Sequence, residues 1–375
     1  MKLIRSNSEN CRLNSGSPCL KKLKTDFMKS KRIPNLDLIR AAAIVMVLFY
    51  HTVQWLPAKP QVISFLSQPG QYGVELFFAL SGFLVGGLYF NEFLARSSVD
   101  TGRFILRRVT RTIPPYLLAL APSFLGSYLF ENEYFRWEYL LFLQNYLERM
   151  PYFLVSWSLC VEEHFYILLP FVLSLLLLAG RSSKRAIFIL VPIIMLLPLF
   201  LRVVSYRDGA PFGFYQTASH FHLDALSLGV LMAWFSAYGS EKLTRLHNYR
   251  YIIIPISLGL LLLTNLLSDK LVFTIGLLMI GIAFALSVLS LSYGKQYKIS
   301  SCKAITTLAS SSYAIYLTHA MVIQALSKAN SLFKIPEFPF WIMMIISCLI
   351  VGYVFHLLFE VPLMRLRNVV IPSGS

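Results

Sequence analysis

Ten apolar runs, each close to twenty residues long, recur along the 375-residue chain and constrain it more than any other feature. About 20 apolar residues in a helix cross the roughly 30 Å of hydrocarbon in a bilayer. The spacing predicts spans near 36–56, 72–94, 112–130, 156–178, 186–206, 220–238, 251–267, 271–293, 304–326 and 339–361. The predicted fold class is therefore all-α: one polytopic integral membrane helical bundle of about ten transmembrane helices, filling residues 35–364. A basic polar tail (1–34) precedes it and a short tail (365–375) follows. Only 14% of residues are charged and 56% are hydrophobic, which argues against a disordered chain and against a soluble enzyme.

The net charge of +16 would suggest a nucleic-acid partner in a soluble protein. Here the basic residues sort by loop. With the N-terminus in the cytoplasm, 26 of the 34 Lys and Arg residues fall on cytoplasmic segments. That asymmetry matches the positive-inside rule, predicts both termini inside, and leaves no need for nucleic acid. Residues 1–34 lack an apolar core and do not read as a secretory signal. Met28 is an alternative start. The joint near Ser268-Asp269 is short, so the seventh and eighth spans are open to a different count. Residues 131–155 are polar and aromatic. They read as an interfacial segment outside the membrane, with re-entry of 138–147 as the alternative. The five cysteines form no pair or cluster of the kind that binds metal, and no metal is expected.

Charged groups at bilayer depth cost at least ~2.5–3.5 kcal/mol on insertion scales, so function concentrates where they persist. Arg40 and His51 are eleven residues apart in the first span. Eleven steps of about 100° bring them to one helix face, about 16 Å apart along the axis. Asp37 lies one turn before Arg40, where it can pair with it. Arg40 reads equally as a snorkelling anchor. His51 reads as an interfacial residue or as a general base, since imidazole alone titrates near neutral pH.

Glu75 opens the second span at a depth like that of His51. Gly82 and Gly86 form a GxxxG pair, best read as helix packing. Arg103, Arg107 and Arg111 recur every four residues and line one helix face, with Arg108 beside them. They read as an anchor to anionic lipid or as a clamp for a phosphorylated ligand. Pro114 and Pro115 then enter the third span. The fourth opens Ser156-Trp157-Ser158-Leu159-Cys160-Val161-Glu162-Glu163. Adjacent residues point about 100° apart, so the two carboxylates are not expected to serve one site. Glu162 shares a face with Tyr166, and Glu163 reads as interfacial. Asp224 opens the sixth span. His319 lies in the ninth, where a lone histidine is more often a packing residue than a catalyst.

These segments, in this order, resemble acyltransferase family 3, the integral-membrane acyltransferases. The resemblance covers almost all of 35–367. It rests on "LDLIRAAAIVMVLFYH", "GVELFFALSGFLVGG", "RFILRRVTRTIPPY", "SWSLCVEEHFY", "HLDALSLGVLMAW", "SSYAIYLTH" and "FEVPLMR". It implies an enzyme in a bacterial-type cytoplasmic (inner) membrane that moves an acyl group, usually acetyl, from cytoplasmic acyl-CoA. The acceptor it implies is a hydroxyl of an extracytoplasmic or lipid-linked carbohydrate.

By the resemblance, His51 is the essential histidine, Arg40 its partner arginine and Glu162 the conserved glutamate. Arg103, Arg107, Arg108 and Arg111 hold acyl-CoA. Asp37, Glu75, Trp157, Asp224 and His319 are supporting polar positions. His51 serves as base or as transient acyl carrier, with Glu162 or Glu75 orienting it. No permanently bound cofactor is implied. One departure matters: His222 stands where many members have arginine before "LD". The soluble esterase-like domain that some relatives carry after the spans is not expected here. A competing class is a secondary transporter of a glycan or lipid-linked substrate, which consumes no acyl-CoA.

Overall fold

The computed structural model describes residues 33–56, 59–96, 98–178, 183–206, 214–238, 248–293 and 296–371. The basic N-terminal tail and the Met28 start lie outside the described residues, as do parts of the basic loops. Ten long helices carry the described chain: α1 (Pro34–Gln54), α2 (Gly73–Arg96), α3 (Thr101–Glu131), α4 (Trp157–Leu178), α5 (Ser183–Ser205), α6 (Leu223–Tyr238), α7 (Arg250–Leu263), α8 (Leu277–Ser292), α9 (Lys303–Phe333) and α10 (Glu337–Phe355). No strand occurs among the described residues. Each predicted span falls on one of these helices. Among the described residues, six helical stretches are long and apolar enough to cross a membrane, and three shorter apolar helices accompany them. Large apolar side chains such as Phe171, Phe200, Ile256, Ile350 and Leu358 lie exposed on the outside of the bundle, where a soluble protein would carry charge. The chain is an all-α, multi-pass membrane protein.

Helix α2 is the hub. It crosses α6 so closely that a Cβ on Gly82 would lie 2.0 Å from the Leu226 carbonyl oxygen. The contact is reciprocal, because a Cβ on Gly229 would lie 2.2 Å from the Ala79 oxygen. A small residue is the only one that permits such an approach, so the GxxxG stretch acts in packing, as expected. Its partner glycine, Gly229, lies on a helix with no second glycine at the GxxxG spacing.

Helix α3 differs from expectation. The Arg103–Arg111 run and the span form one helix of 31 residues that passes through Pro114 and Pro115. Asp100 caps it, its side chain accepting from the Arg103 backbone N–H at 2.9 Å. The prolines do not begin the helix because the cap lies more than three turns earlier. Helix α10 likewise continues through a π turn at His356–Glu360 into a last helix, Val361–Val370.

Within the segment 131–155, residues 138–147 fold against the bundle. Tyr139 is fully buried. Its carbonyl accepts from Tyr116 Oη at 2.8 Å. Tyr116 lies fifteen residues before the end of α3, about 22 Å along the helix. Gln144 Nε2 donates to Tyr116 Oη and Ser156 Oγ, both at 3.1 Å. Asn145 Nδ2 donates to the Thr217 carbonyl at 3.0 Å and to Ser219 Oγ at 2.8 Å. A segment with so little helix must satisfy its polar groups inside the protein. These amides do so, and they tie the starts of α4 and α6 to α3.

Candidate functional site

Three adjoining chambers run through the bundle along α1. The largest, about 1080 Å³, contains His51, Glu75, Trp157, His222 and Tyr316 in its wall. A waist of about 110 Å³ follows, walled by Ser81, Arg108, Arg111, Glu162, Tyr166 and Tyr313. Val74 and Tyr316 border both. Beyond the waist a third chamber of about 310 Å³ is lined by Ser310, His356, Glu360, Arg365 and Asn368. Arg40, Arg111, Ser312 and Tyr313 border the waist and this third chamber together. The helix face shared by Arg40 and His51 is therefore the face α1 presents to this passage.

At the wide end, the His51 and His319 rings lie 5.0 Å apart between centroids. His319 is fully buried, and its Nδ1 meets the Tyr316 carbonyl at 2.7 Å. Glu75 pairs with His222, Oε1 to Nδ1 at 3.0 Å. The Trp157 ring packs 4.9 Å from the His222 ring.

In the waist, Ser81 and Tyr166 share a short hydrogen bond through their hydroxyls. Glu162 lies within reach of both hydroxyls and shares the wall of the waist with Arg111 and Arg108, whose charges act on it. The Arg108 guanidinium lies 6.0 Å from the centre of the Tyr166 ring. Arg40 reaches Asp37 at 3.2 Å, the pair its spacing suggested. His356 and Glu360 face each other at 2.7 Å across one turn of the π segment.

The structure thus separates residues that the sequence left together. Glu162 lines the waist with the arginines, while His51 lines the large chamber. The arginine stripe also divides. Arg108 and Arg111, three apart, face the passage. Arg107 instead donates to the Ile371 carbonyl at the chain's last helix, and the Arg103 backbone belongs to the cap of α3. Asp224 lies away from all three chambers, where it pairs with Arg202 at 2.7 Å, both side chains essentially inaccessible. Glu163 is buried inside the bundle, and Thr112 Oγ1 donates to it.

Sequence reasoning passed over Tyr313 and Tyr316. Both lie in the "SSYAIYLTH" stretch, three residues apart and hence on one face, and that spacing was the available signal. Arg365 carried no such signal. Only the packing of the last helix, Val361–Val370, against α3 brings it to the chamber of Arg40 and Arg111. Among the described residues, no three His, Cys, Asp or Glu side chains cluster as metal ligands.

Fold and site together define a polytopic helical membrane protein with three adjoining chambers in its core, whose walls include arginines and histidines. The family model described as "Acyltransferase domain" matches residues 33–357, and the chain belongs to that acyltransferase family. It is 25% identical over 345 residues to the Staphylococcus aureus (strain COL) protein "Putative O-acetyltransferase SACOL0978", covering 85% of this chain and 55% of that one. It is also 25% identical over 346 residues to "O-acetyltransferase OatA" of S. aureus (strain NCTC 8325 / PS 47), covering 84% of this chain and 55% of the relative. The chain spans about half the length of the curated relatives it matches. No solved structure matches it.

Proposed function

We propose that the protein is a membrane O-acyltransferase. It moves an acyl group, acetyl by default, from cytoplasmic acyl-CoA to a hydroxyl of an extracytoplasmic or lipid-linked carbohydrate. The observation that carries this reading is the passage itself, cationic at one end and lined by His51 at the other. Charge asymmetry favours an Arg365 end in the cytoplasm and a His51 end outside, and the family resemblance favours a bacterial-type cytoplasmic (inner) membrane.

The division of labour follows from the residues. Arg40, Arg111 and Arg365 converge on the third chamber and offer guanidinium donors to the donor's phosphates. The linear arm of the donor threads the waist, where Glu162 balances Arg108 and Arg111. Its thioester then meets the acceptor beside His51. A sugar hydroxyl is a weak nucleophile at neutral pH, so a base must take its proton as it attacks. His51 takes that proton as the hydroxyl oxygen bonds to the thioester carbonyl carbon. The carbon–sulfur bond breaks, His51 returns the proton to the departing thiolate, and ester and free coenzyme A leave.

A transporter would also use a passage, but a waist of about 110 Å³ suits a linear acyl arm better than a glycan. The deciding experiment is release of free coenzyme A from acetyl-CoA by the purified, detergent-solubilised protein with membrane glycan extract. Wild type is run beside His51→Ala. Release by wild type alone supports the proposal. Equal release by both removes His51 as the base, and no release with no acetyl-CoA binding removes acyl transfer.

A further inference from the structure

Glu75 is buried in the wall of the large chamber, and one of its carboxyl oxygens, Oε2, has no hydrogen-bond partner. The other oxygen meets His222 Nδ1 at 3.0 Å. His222 Nε2 meets the Gln216 carbonyl at 3.1 Å. A carbonyl only accepts, so His222 Nε2 carries hydrogen. Two arrangements of the remaining proton then satisfy the pair. Either His222 Nδ1–H donates to an ionised Glu75, or a protonated Glu75 Oε1 donates to a bare Nδ1. The pair carries no net charge in either case, and Oε2 is a bare acceptor in both.

We propose that Glu75 Oε2 is the acceptor-binding contact of the large chamber and receives a hydroxyl of an uncharged sugar ring. A buried acceptor without a partner is costly, and a ligand hydroxyl removes that cost. A sugar carboxylate at the same point would set bare oxygens against each other. The wall also carries Lys59 and Asp269, one charge of each sign, beside uncharged groups suited to a sugar ring. Gln68, Gln71 and Asn265 can donate and accept, and Tyr72, Trp157 and Tyr206 supply apolar ring surface. His51 borders the same chamber, so a ring held at Glu75 lies in the compartment of the proposed base. This inference rests on the acyl-transfer reading only for its consequence; the binding site stands on the Glu75–His222 geometry.

The test is saturation-transfer NMR on the full chain in nanodiscs, with methyl glucoside and methyl glucuronide as probes. Methyl glucoside should receive saturation from the protein, and the glucuronide at least about fivefold less, the scale of one hydrogen bond. Glu75→Leu should lower the methyl glucoside signal by at least about fivefold. Glu75→Gln should keep the signal within about twofold, because its amide can donate to His222 Nδ1 and leave the carbonyl oxygen free. That rescue would not follow from a packing role. An equal or stronger glucuronide signal, an unchanged Glu75→Leu signal, or no transfer to either sugar would overturn the inference. If Glu75→Leu loses its melting transition, the comparison of the two sugars on the unaltered chain decides. Acetyl-CoA turnover on the same sample separates the two ideas. Sugar binding without turnover overturns acyl transfer, and turnover without sugar binding overturns the Glu75 site.

Discussion

The imidazole rings of His51 and His319 lie 5.0 Å apart, tilted by 52°, although 268 positions separate them in the chain. His319 Nδ1 must be the hydrogen-bearing nitrogen, because the Tyr316 carbonyl at 2.7 Å can only accept. Its Nε2 is then a bare acceptor, buried and without a hydrogen-bond partner, beside the proposed base. His319→Phe keeps the ring and removes that acceptor. We expect turnover to fall by about tenfold to a hundredfold through misplacement of His51. The Michaelis constant for acetyl-CoA should hold steady. Steady-state kinetics in detergent check this, and an unchanged kcat would make His319 a packing residue only.

The arginines should separate by their place along the passage. Arg111→Ala and Arg365→Ala each remove a guanidinium from the third chamber. Each should raise the acetyl-CoA KM by about tenfold or more, the loss of a charge-assisted contact of ~1.5–3 kcal/mol. Arg103→Ala should leave it within about twofold, since Arg103 does not line the passage. Initial rates against acetyl-CoA concentration decide the matter. Equal effects at all three positions would place the donor along the outer face of α3 instead.

The Arg202–Asp224 pair should govern stability. Arg202 donates to Asp224 at 2.7 Å and to the Phe221 carbonyl at 2.5 Å, with no exposure. Arg202→Ala leaves a buried carboxylate unpaired and should cost about 3–5 kcal/mol. Arg202→Met combined with Asp224→Leu should recover most of that loss, because no uncompensated charge remains. Thermal melting of the purified variants reads both. A double variant as unstable as the single one would show that the pair contributes more than charge balance.

The crossing of α2 and α6 makes a steric prediction. Gly82→Ala places a methyl group 2.0 Å from the Leu226 carbonyl oxygen, a backbone atom, so the helices must separate. Folded yield and melting temperature should both drop. Gly126→Ala on α3 is the control. A Cβ there meets nothing within 4 Å, and the exchange should stabilise by about 0.5–1 kcal/mol. Equal behaviour of the two variants would contradict the close crossing.

Local patterns along the chain suffice for the class of this protein. Twenty-residue apolar runs dictate membrane helices, and the angle of 100° per residue places Arg40, His51 and the Asp37–Arg40 pair on a face without any tertiary information. Helical periodicity is a local property, so it survives in the sequence. The GxxxG of α2 was legible for the same reason, though its partner Gly229 was not.

Which polar residues meet is set by how the helices pack. Glu162 shares the waist with Arg108 and Arg111 and not with His51; Glu75 bonds to His222; His319 packs beside His51; Arg365 shares the third chamber with Arg40. Each of these juxtapositions spans many tens of residues, or hundreds, and depends on which helices become neighbours. Helix neighbours are chosen by small-residue crossings such as Gly82 on Leu226, and by buried amides such as Gln144 and Asn145 that hold residues 138–147 against the bundle. A residue's own spacing shows which way its side chain points, but not what it will find there.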